Sequence, residues 1–224
     1  MTSIDGATGG RTELSATSLE NAAAKIANAL HDEFDLEPGA RVGLRLPLHW
    51  QRAAWCAGVW TAGCIVDLEA DPTVADLFVT TIGDTATATG RTHREMAIVS
   101  LHPFGLPITE PLPADCADVT LAVRQQPDAY LFEPPTGELP ALTWGGSTLT
   151  QREVLDIARA RAADWGVAAG GRLLVTDGID LLDGWLAALA VPLVADASVV
   201  LAAGVADIDR IVTQEHVTAR PRPS

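Results

Sequence analysis

LENAAAKIANALHDEFDLEPGARVGLRLPLHWQRAAWCAGVWTAGCIVDLEADP, residues 19–72, sets out four elements in a definite order. Leu19, Ala22, Ala23, Ile26 and Leu30 recur at three- and four-residue spacing, which gathers them on one face of a helix. Thr17-x-x-Glu20 ahead of them has the pattern of a capping box, and the helix is expected to end near Phe34. Pro38-Gly39 makes a turn, and Arg41 to Leu46 alternates polar with apolar as a half-buried strand does. From Trp50 to Ala62 nearly every residue is apolar or small. Trp50, Trp55 and Trp60 point about 140° from one another on a helix of about 100° per residue, so they do not share a face and the helix is expected to be covered on more than one side. Cys64 to Leu68 then reads as a short strand.

Outward from this stretch, Asp76 to Thr80 and Ala97 to Ser100 read as two further strands. Strands alternating with helices predict an α/β protein with mostly parallel sheets flanked by helices. Residues 102–140 carry Pro103, Pro107, Pro111, Pro113, Pro127, Pro134, Pro135 and Pro140, which predicts loop and edge structure, because proline cannot donate to a sheet ladder. Thr150-Gln151-Arg152-Glu153 is a second capping box, followed by a helical stripe of Val154, Ala158, Ala162 and Trp165. A strand from Arg172 to Thr176, a very apolar segment from Leu181 to Val191, a strand from Ala197 to Ala202 and a short helix near Val205 to Gln214 complete the pattern. The expected organisation is a flexible N-terminus (1–13), a first α/β unit (14–101), a proline-rich connection (102–140), a second α/β unit (141–216) and a flexible tail (217–224).

Composition bounds the chemistry. The chain has 224 residues, with 15 Lys and Arg against 29 Asp and Glu, a net charge of −14. Apolar residues make up 48%, enough to bury a core and too many for a disordered chain. The charge argues against nucleic acid as a partner, since a phosphate-binding surface needs clustered cations. Lys25 is the one lysine in the sequence, which limits phosphate-clamping or acyl-transferring lysine chemistry to that residue. Cys56, Cys64 and Cys116 are odd in number and lack CxxC spacing, which favours neither a disulfide framework nor a zinc site and points to a reducing, cytoplasmic compartment. No run reaches the roughly 18 to 20 apolar residues of a membrane helix, and the first residues lack a basic region followed by an apolar run, so neither membrane nor leader is expected.

The opening stretch resembles the start of the adenylate-forming, AMP-binding superfamily of acyl-CoA synthetases and luciferases. That family has a helix, a Pro-Gly-Asp-Arg-Val strand, a helix entered through a Leu-Pro-Asn-like turn, and a Lys-Ala-Gly-Ala turn into a further strand. The equivalents are Pro38-Gly39-Ala40-Arg41-Val42, Leu46-Pro47-Leu48 and Thr61-Ala62-Gly63-Cys64. The similarity resumes from Leu149 to Gly204, including Asp196-Ala197-Ser198-Val199-Val200 in place of a Gly-Ala-Thr-Val-Val strand. The whole also resembles a small actinobacterial AMP-binding-like family in which a His-Pro-Phe-Gly segment recurs, here His102-Pro103-Phe104-Gly105.

The resemblance implies the fold of a truncated N-terminal domain of those enzymes and a phosphate loop of the form Ser/Thr-Ser-Gly-Thr-Thr-Gly-x-Pro-Lys-Gly. Against it, the sequence from Phe132 to Leu142 keeps Thr136, Gly137 and Pro140, the candidate remnant of a nucleotide site. Ala141 stands where the lysine belongs, Pro134 and Pro135 remove two N–H donors, and Glu133 and Glu138 would face a triphosphate with like charge. Two unit charges at about 4 Å repel by roughly 1 to 4 kcal/mol near a surface, so ATP or AMP binding is disfavoured and no cofactor is expected. The family's adenine- and ribose-binding segments and its mobile C-terminal domain lie downstream of Ser224. Its aromatic or His residue before the Leu181 segment is replaced by Asp177-Gly178-Ile179-Asp180. The expectation is therefore a non-catalytic relative that acts by binding a protein partner, another copy of itself, or a small acyl or nucleotide ligand. The alternative is a half-enzyme completed in trans by a second chain.

Other constellations carry less. Gly145-Gly146-Ser147-Thr148 reads as a β-turn before a cap rather than an anion loop. His49, His102 and His216 have no metal-ligand spacing, so no metal is expected, and His102 with Phe104 and Gly105 is the strongest candidate for a functional turn. The three tryptophans fit a buried core better than a ligand pocket. No GxSxG, GxGxxG or Walker loop is present.

Overall fold

The computed structural model describes residues 1–87, 96–102, 105–113, 116–177 and 181–221. The chain divides into two compact units, each assembled from discontinuous segments.

One unit comprises residues 18–46 and 54–151. Its sheet has seven strands, β3 (Arg41–Leu44), β4 (Ile65–Asp67), β5 (Leu77–Thr80), β6 (Met96–Ile98), β7 (Cys116–Asp118), β8 (Pro140–Trp144) and β9 (Ser147–Thr150), in the order β7-β6-β5-β3-β4-β8-β9. All neighbours are parallel except the β8–β9 hairpin, where Gly145 and Gly146 at φ of 59° and 72° supply the left-handed turn that such a two-residue connection needs. The β-turn reading of that segment is therefore the observed one.

Helix α1 (Ala16–Asp32) buries Ala23, Ala24, Ile26, Ala27, Ala29 and Leu30, and helix α2 (Trp50–Thr61) buries Ala53, Ala54, Trp55, Cys56 and Val59. The two helices meet at Gly58, where an added Cβ would lie 2.5 Å from Ile26 Cγ2. α1 begins one residue before Thr17, so Ser15 and not Thr17 stands at the N-cap position, and the capping-box reading is shifted. α1 ends in a left-handed residue, Asp35 at φ 51°, with Leu36 N–H returning to Leu30 O at 2.9 Å. Gly43 in β3 is required by close packing, since a Cβ there would sit 2.7 Å from the Phe78 ring.

The other unit comprises residues 1–17, 47–53 and 152–224. Its sheet has the order β10-β11-β1-β2, built from β1 (Thr2–Asp5), β2 (Gly10–Glu13), β10 (Arg172–Thr176) and β11 (Ser198–Ala203). β10, β11 and β1 run parallel and β2 turns back on β1. Helices α4 (Gln151–Asp164), α5 (Leu181–Ala188), α6 (Ala190–Val194) and α7 (Ile208–Gln214) accompany it. α4 starts directly after Thr150, which places Thr150 at the N-cap as the second capping box predicts. A charge cluster around Glu215 ties the N-terminal hairpin to this sheet. Glu215, 9% exposed, accepts from Arg11 at 2.8 Å and from Arg172 at 2.7 Å, and Arg172 also donates to the Thr2 hydroxyl at 2.7 Å. These cations, Arg11 foremost, hold the Glu215 carboxyl below the ordinary range.

The structure departs from the expected organisation in four places. The expected boundary of a second unit at 141 is not observed, since β8 and β9 complete the seven-stranded sheet of 18–46 and 54–151, while 14–17 and 47–53 belong with 152–224. Residues 1–13 are two paired strands rather than a flexible end, because β1 finds its neighbour β11 almost the whole chain away, with Thr2 opposite Val200. Residues 102–140 do not link two units but belong to one of them, supplying β7 at the edge of the seven-stranded sheet and the short helix α3 (Thr120–Gln125). Within the expected tail, Thr218 and Ala219 bond to Arg172 O and Ala219 bridges Leu173, so this part is fixed to β10, while residues 222–224 lie outside the described residues.

Candidate functional site

The candidate phosphate-loop remnant is a tight turn. Leu139 N–H returns to Thr136 O at 3.1 Å, with Gly137 and Glu138 at the apex, and the chain passes at once into β8. β8 begins at Pro140, and Gln151 N–H bonds Leu139 O at 3.1 Å, so the backbone leaving the turn is engaged with the sheet. Thr136, Glu133 and Glu138 are exposed. Gly137 has ordinary φ, and a Cβ there would meet nothing within 4 Å, so neither backbone strain nor close packing calls for glycine. A phosphate cradle needs several N–H groups converging on one point. Here Pro134 and Pro135 have none, and the Leu139 amide is used within the turn.

The position that the resemblance gives to a lysine is fully buried. Ala141 is 0% exposed in β8, and its carbonyl accepts the indole N–H of Trp60 at 2.8 Å. Gln151 Nε2 donates to Trp60 O at 3.0 Å, which fixes the end of α2 against the β8–β9 hairpin. Trp55 is 1% exposed. Of the three tryptophans expected in the core, Trp55 is buried, while Trp50 and Trp60 are half-buried, Trp60 as a clamp on β8.

Lys25 has a different task from any catalytic lysine. Its ammonium donates to Gln126 O at 2.5 Å and lies 3.0 Å from Asp128 Oδ1. One turn further along α1, Asn28 is 0% exposed and saturated: its amide donates to Pro127 O (3.3 Å) and Ala129 O (2.9 Å), and its oxygen accepts Leu131 N–H (3.2 Å). A further turn on, His31 Nδ1 is 2.7 Å from Leu36 O, which as a carbonyl can only accept, so Nδ1 carries a proton. His31 Nε2 is 3.0 Å from the Tyr130 hydroxyl, whose phenol burial pushes above its ordinary value. This polar stripe straps the segment 126–131, five residues before the remnant turn, onto α1. It was not foreseen from the sequence. The three-residue spacing of Lys25, Asn28 and His31 along α1 was the available signal, but Lys25 and Asn28 bond backbone groups about a hundred residues away, and His31 reaches the Tyr130 hydroxyl at the same remove.

At the expected functional turn, Gly105 N–H bonds His102 O at 2.8 Å with Gly105 at φ 56°, while Pro103 and Phe104 lie outside the described residues. Arg124 donates to Gly105 O at 3.1 Å, and His102 N–H donates to Ser100 Oγ at 3.2 Å. The remnant turn (Thr136, Gly137, Pro140) and the His102 turn are thus two separate loops, each closed by its own backbone bond. In the other unit, Asp177 accepts Gly204 N–H at 2.6 Å, and Gly178, Ile179 and Asp180 lie outside the described residues.

His49 has a strongly perturbed acidity. It sits at the N-cap of α2, where its Nδ1 accepts Gln51 N–H at 3.3 Å. Burial pushes its pKa down to about 4, against a smaller opposing pull from Asp5. A ring that accepts at Nδ1 must be neutral, so geometry and acidity agree on a capping role. Among the described residues no group of three His, Cys, Asp or Glu side chains could hold a metal ion, and no helix is long and apolar enough to cross a membrane.

No protein-family model matches the sequence. A protein of Mycobacterium tuberculosis described as a TIGR03089 family protein is 38% identical over 229 residues, covering 97% of this chain and 89% of its own. The chain belongs to the TIGR03089 family. Among solved structures, the acyl-CoA synthetase of Brucella canis superposes with a TM-score of 0.77 at 20% identity, over 98% of this chain and 43% of the synthetase. The fatty acyl CoA synthetase of Mycobacterium tuberculosis gives 0.69 at 14% identity, over 96% and 44%. The ATP-bound MatB of Rhodopseudomonas palustris gives 0.67 at 16% identity, over 96% and 44%. This TIGR03089 member therefore has the fold of the N-terminal part of adenylate-forming enzymes, as the sequence resemblance implies, and spans less than half the length of those synthetases.

Proposed function

We propose that this TIGR03089 protein does not form acyl-adenylates and acts by binding a partner chain or a small ligand. One observation carries the reading: the place of the phosphate-clamping lysine is taken by Ala141, 0% exposed inside the seven-stranded sheet, and the loop before it is closed into a turn by its own backbone bond. Lys25, the one lysine of the sequence, is committed to the carbonyl of Gln126 and to Asp128. Glu133 and Glu138 add like charge where a triphosphate would lie.

ATP–pyrophosphate exchange with a panel of short-, medium- and long-chain carboxylic acids tests the proposal. No exchange above background is expected. Exchange that disappears on Thr136→Ala would overturn it. A second reading, a half-enzyme completed in trans, draws on the coverage of 43 to 44% of the synthetases' length. It requires that a second polypeptide carrying the remaining part co-purify stoichiometrically and restore exchange, and fails if the mixture stays inactive.

A further inference from the structure

The segment that α1 straps down ends in an exposed apolar pair. Leu131 is 63% exposed and Phe132 is 42% exposed, although the backbone immediately before them is held by Asn28, Lys25 and His31. Phe132 is propped rather than loose: its ring lies 4.3 Å from the His31 ring and 5.7 Å from the Tyr130 ring. Pro134, two residues on, is exposed as well. Exposed single apolar residues are ordinary on a protein surface, but an aromatic and a leucine presented on a fixed backbone are not explained by folding, which would place them inward.

Most of the exposed charges that flank His31 and Phe132 along the chain are acidic. Asp32, Glu33, Asp35 and Glu37 follow His31 at the exposed end of α1, Glu133 follows Phe132, and Asp128 stands on the strapped segment. Lys25 pairs with Asp128, and the five other carboxylates, Asp32, Glu33, Asp35, Glu37 and Glu133, are exposed, four of them just after His31, whose ring meets Phe132, and one next to Phe132 in the chain. Glu33 also accepts from Gln126 Nε2 at 3.4 Å, a long and weak bond. An aromatic anchor with exposed carboxylates on its neighbouring segments matches the anatomy of a protein interface: an apolar centre for affinity, a charged rim for steering and choice of partner. Fixing the backbone beforehand removes part of the ordering cost of association. A second copy of this chain is a poor occupant, because it brings the same acidic rim and a net charge of −14.

We infer that Leu131 and Phe132, with the acidic rim from Asp32 to Glu37 and Glu133, dock a basic segment of another protein that carries an apolar anchor residue. This deepens the partner-binding reading and rests on it. The probe is a synthetic amphipathic peptide of alternating Lys and Leu pairs, with a Glu and Leu peptide of the same length as its counterpart, titrated into the full chain at low and moderate salt while amide shifts are followed by NMR. The basic peptide is expected to move amides of residues 31–37 and 128–134 and to weaken with salt. Phe132→Ser is expected to weaken it at least tenfold, and Asp35→Asn with Glu133→Gln about tenfold. Glu20→Gln with Asp209→Asn removes the same charge from other exposed sites and is expected to change affinity less than twofold.

Equal affinity for the two peptides, shifts elsewhere on the chain, or equal weakening by both charge-matched pairs would each overturn the inference. Unchanged thermal unfolding of Phe132→Ser shows that its loss of binding is not loss of fold. Failure here combined with absent ATP–pyrophosphate exchange removes this docking surface and leaves the non-catalytic reading standing, whereas exchange activity would remove that reading whatever the peptide does.

Discussion

Replacing Asn28 by alanine should release the strap between α1 and residues 126–131. Asn28 is fully buried and makes three bonds, to Pro127 O, Ala129 O and Leu131 N–H. Each such bond contributes about 1 kcal/mol net, and the partners left behind are part-buried and regain some hydration on release, so the expected loss is about 3 kcal/mol. For a chain of this size that corresponds to a fall in Tm of about 6 to 12 °C. The loss is local first: hydrogen exchange at residues 126–132 should accelerate more than exchange in β3 or β5. Asn28→Asp sharpens the test. It keeps an acceptor for Leu131 N–H but points a carboxylate at two carbonyls, so it should be at least as destabilising as alanine. Urea unfolding of the parent and the two variants measures the differences. A loss below about 1 kcal/mol for Asn28→Ala, or an Asn28→Asp variant as stable as the parent, would refute the strap.

His49 makes stability depend on pH. Its folded-state pKa of about 4 lies below the ordinary 6.5, so its contribution is fully present above pH 6.5 and is lost as the pH falls towards 4. At about 1.4 kcal/mol per unit the loss approaches 3 kcal/mol, and His49→Asn, which keeps an N-cap acceptor, should flatten unfolding curves measured between about pH 7 and 4.5. Two glycines should behave oppositely in thermal unfolding. Gly58→Ala drives a methyl to 2.5 Å from Ile26 Cγ2 and should cost about 1 to 3 kcal/mol even after its gain in helix propensity, while Gly137→Ala meets nothing within 4 Å and should stay within about 0.5 kcal/mol.

The elements whose signals are local were readable from the sequence. The stripe from Leu19 to Leu30 is α1, the apolar run after Trp50 is α2, and the short apolar runs at 41–44, 65–67, 77–80 and 96–98 are neighbouring parallel strands. What escaped was decided by distant partners. Thr2 to Asp5 is too short and too polar to announce a strand, and becomes one because β11 offers a parallel edge. Gly10 to Glu13 follows by folding back on it. Lys25 reads in the sequence only as the single candidate for lysine chemistry, since its carbonyl partners carry no signature there. At the remnant turn, the missing lysine was legible as Ala141, but its burial in the sheet was not, because burial depends on β4 and β9 closing around β8.

That burial leads to the measurement that bears most directly on the loss of the nucleotide site. Equilibrium dialysis of the full chain against radiolabelled ATP with magnesium, up to millimolar nucleotide, should show no saturable binding. Thr136→Ala and Gly137→Ala should leave the result unchanged. Saturable binding of one ATP per chain that Thr136→Ala abolishes would contradict the account, because the turn closed between Thr136 and Leu139 would then be a working phosphate loop.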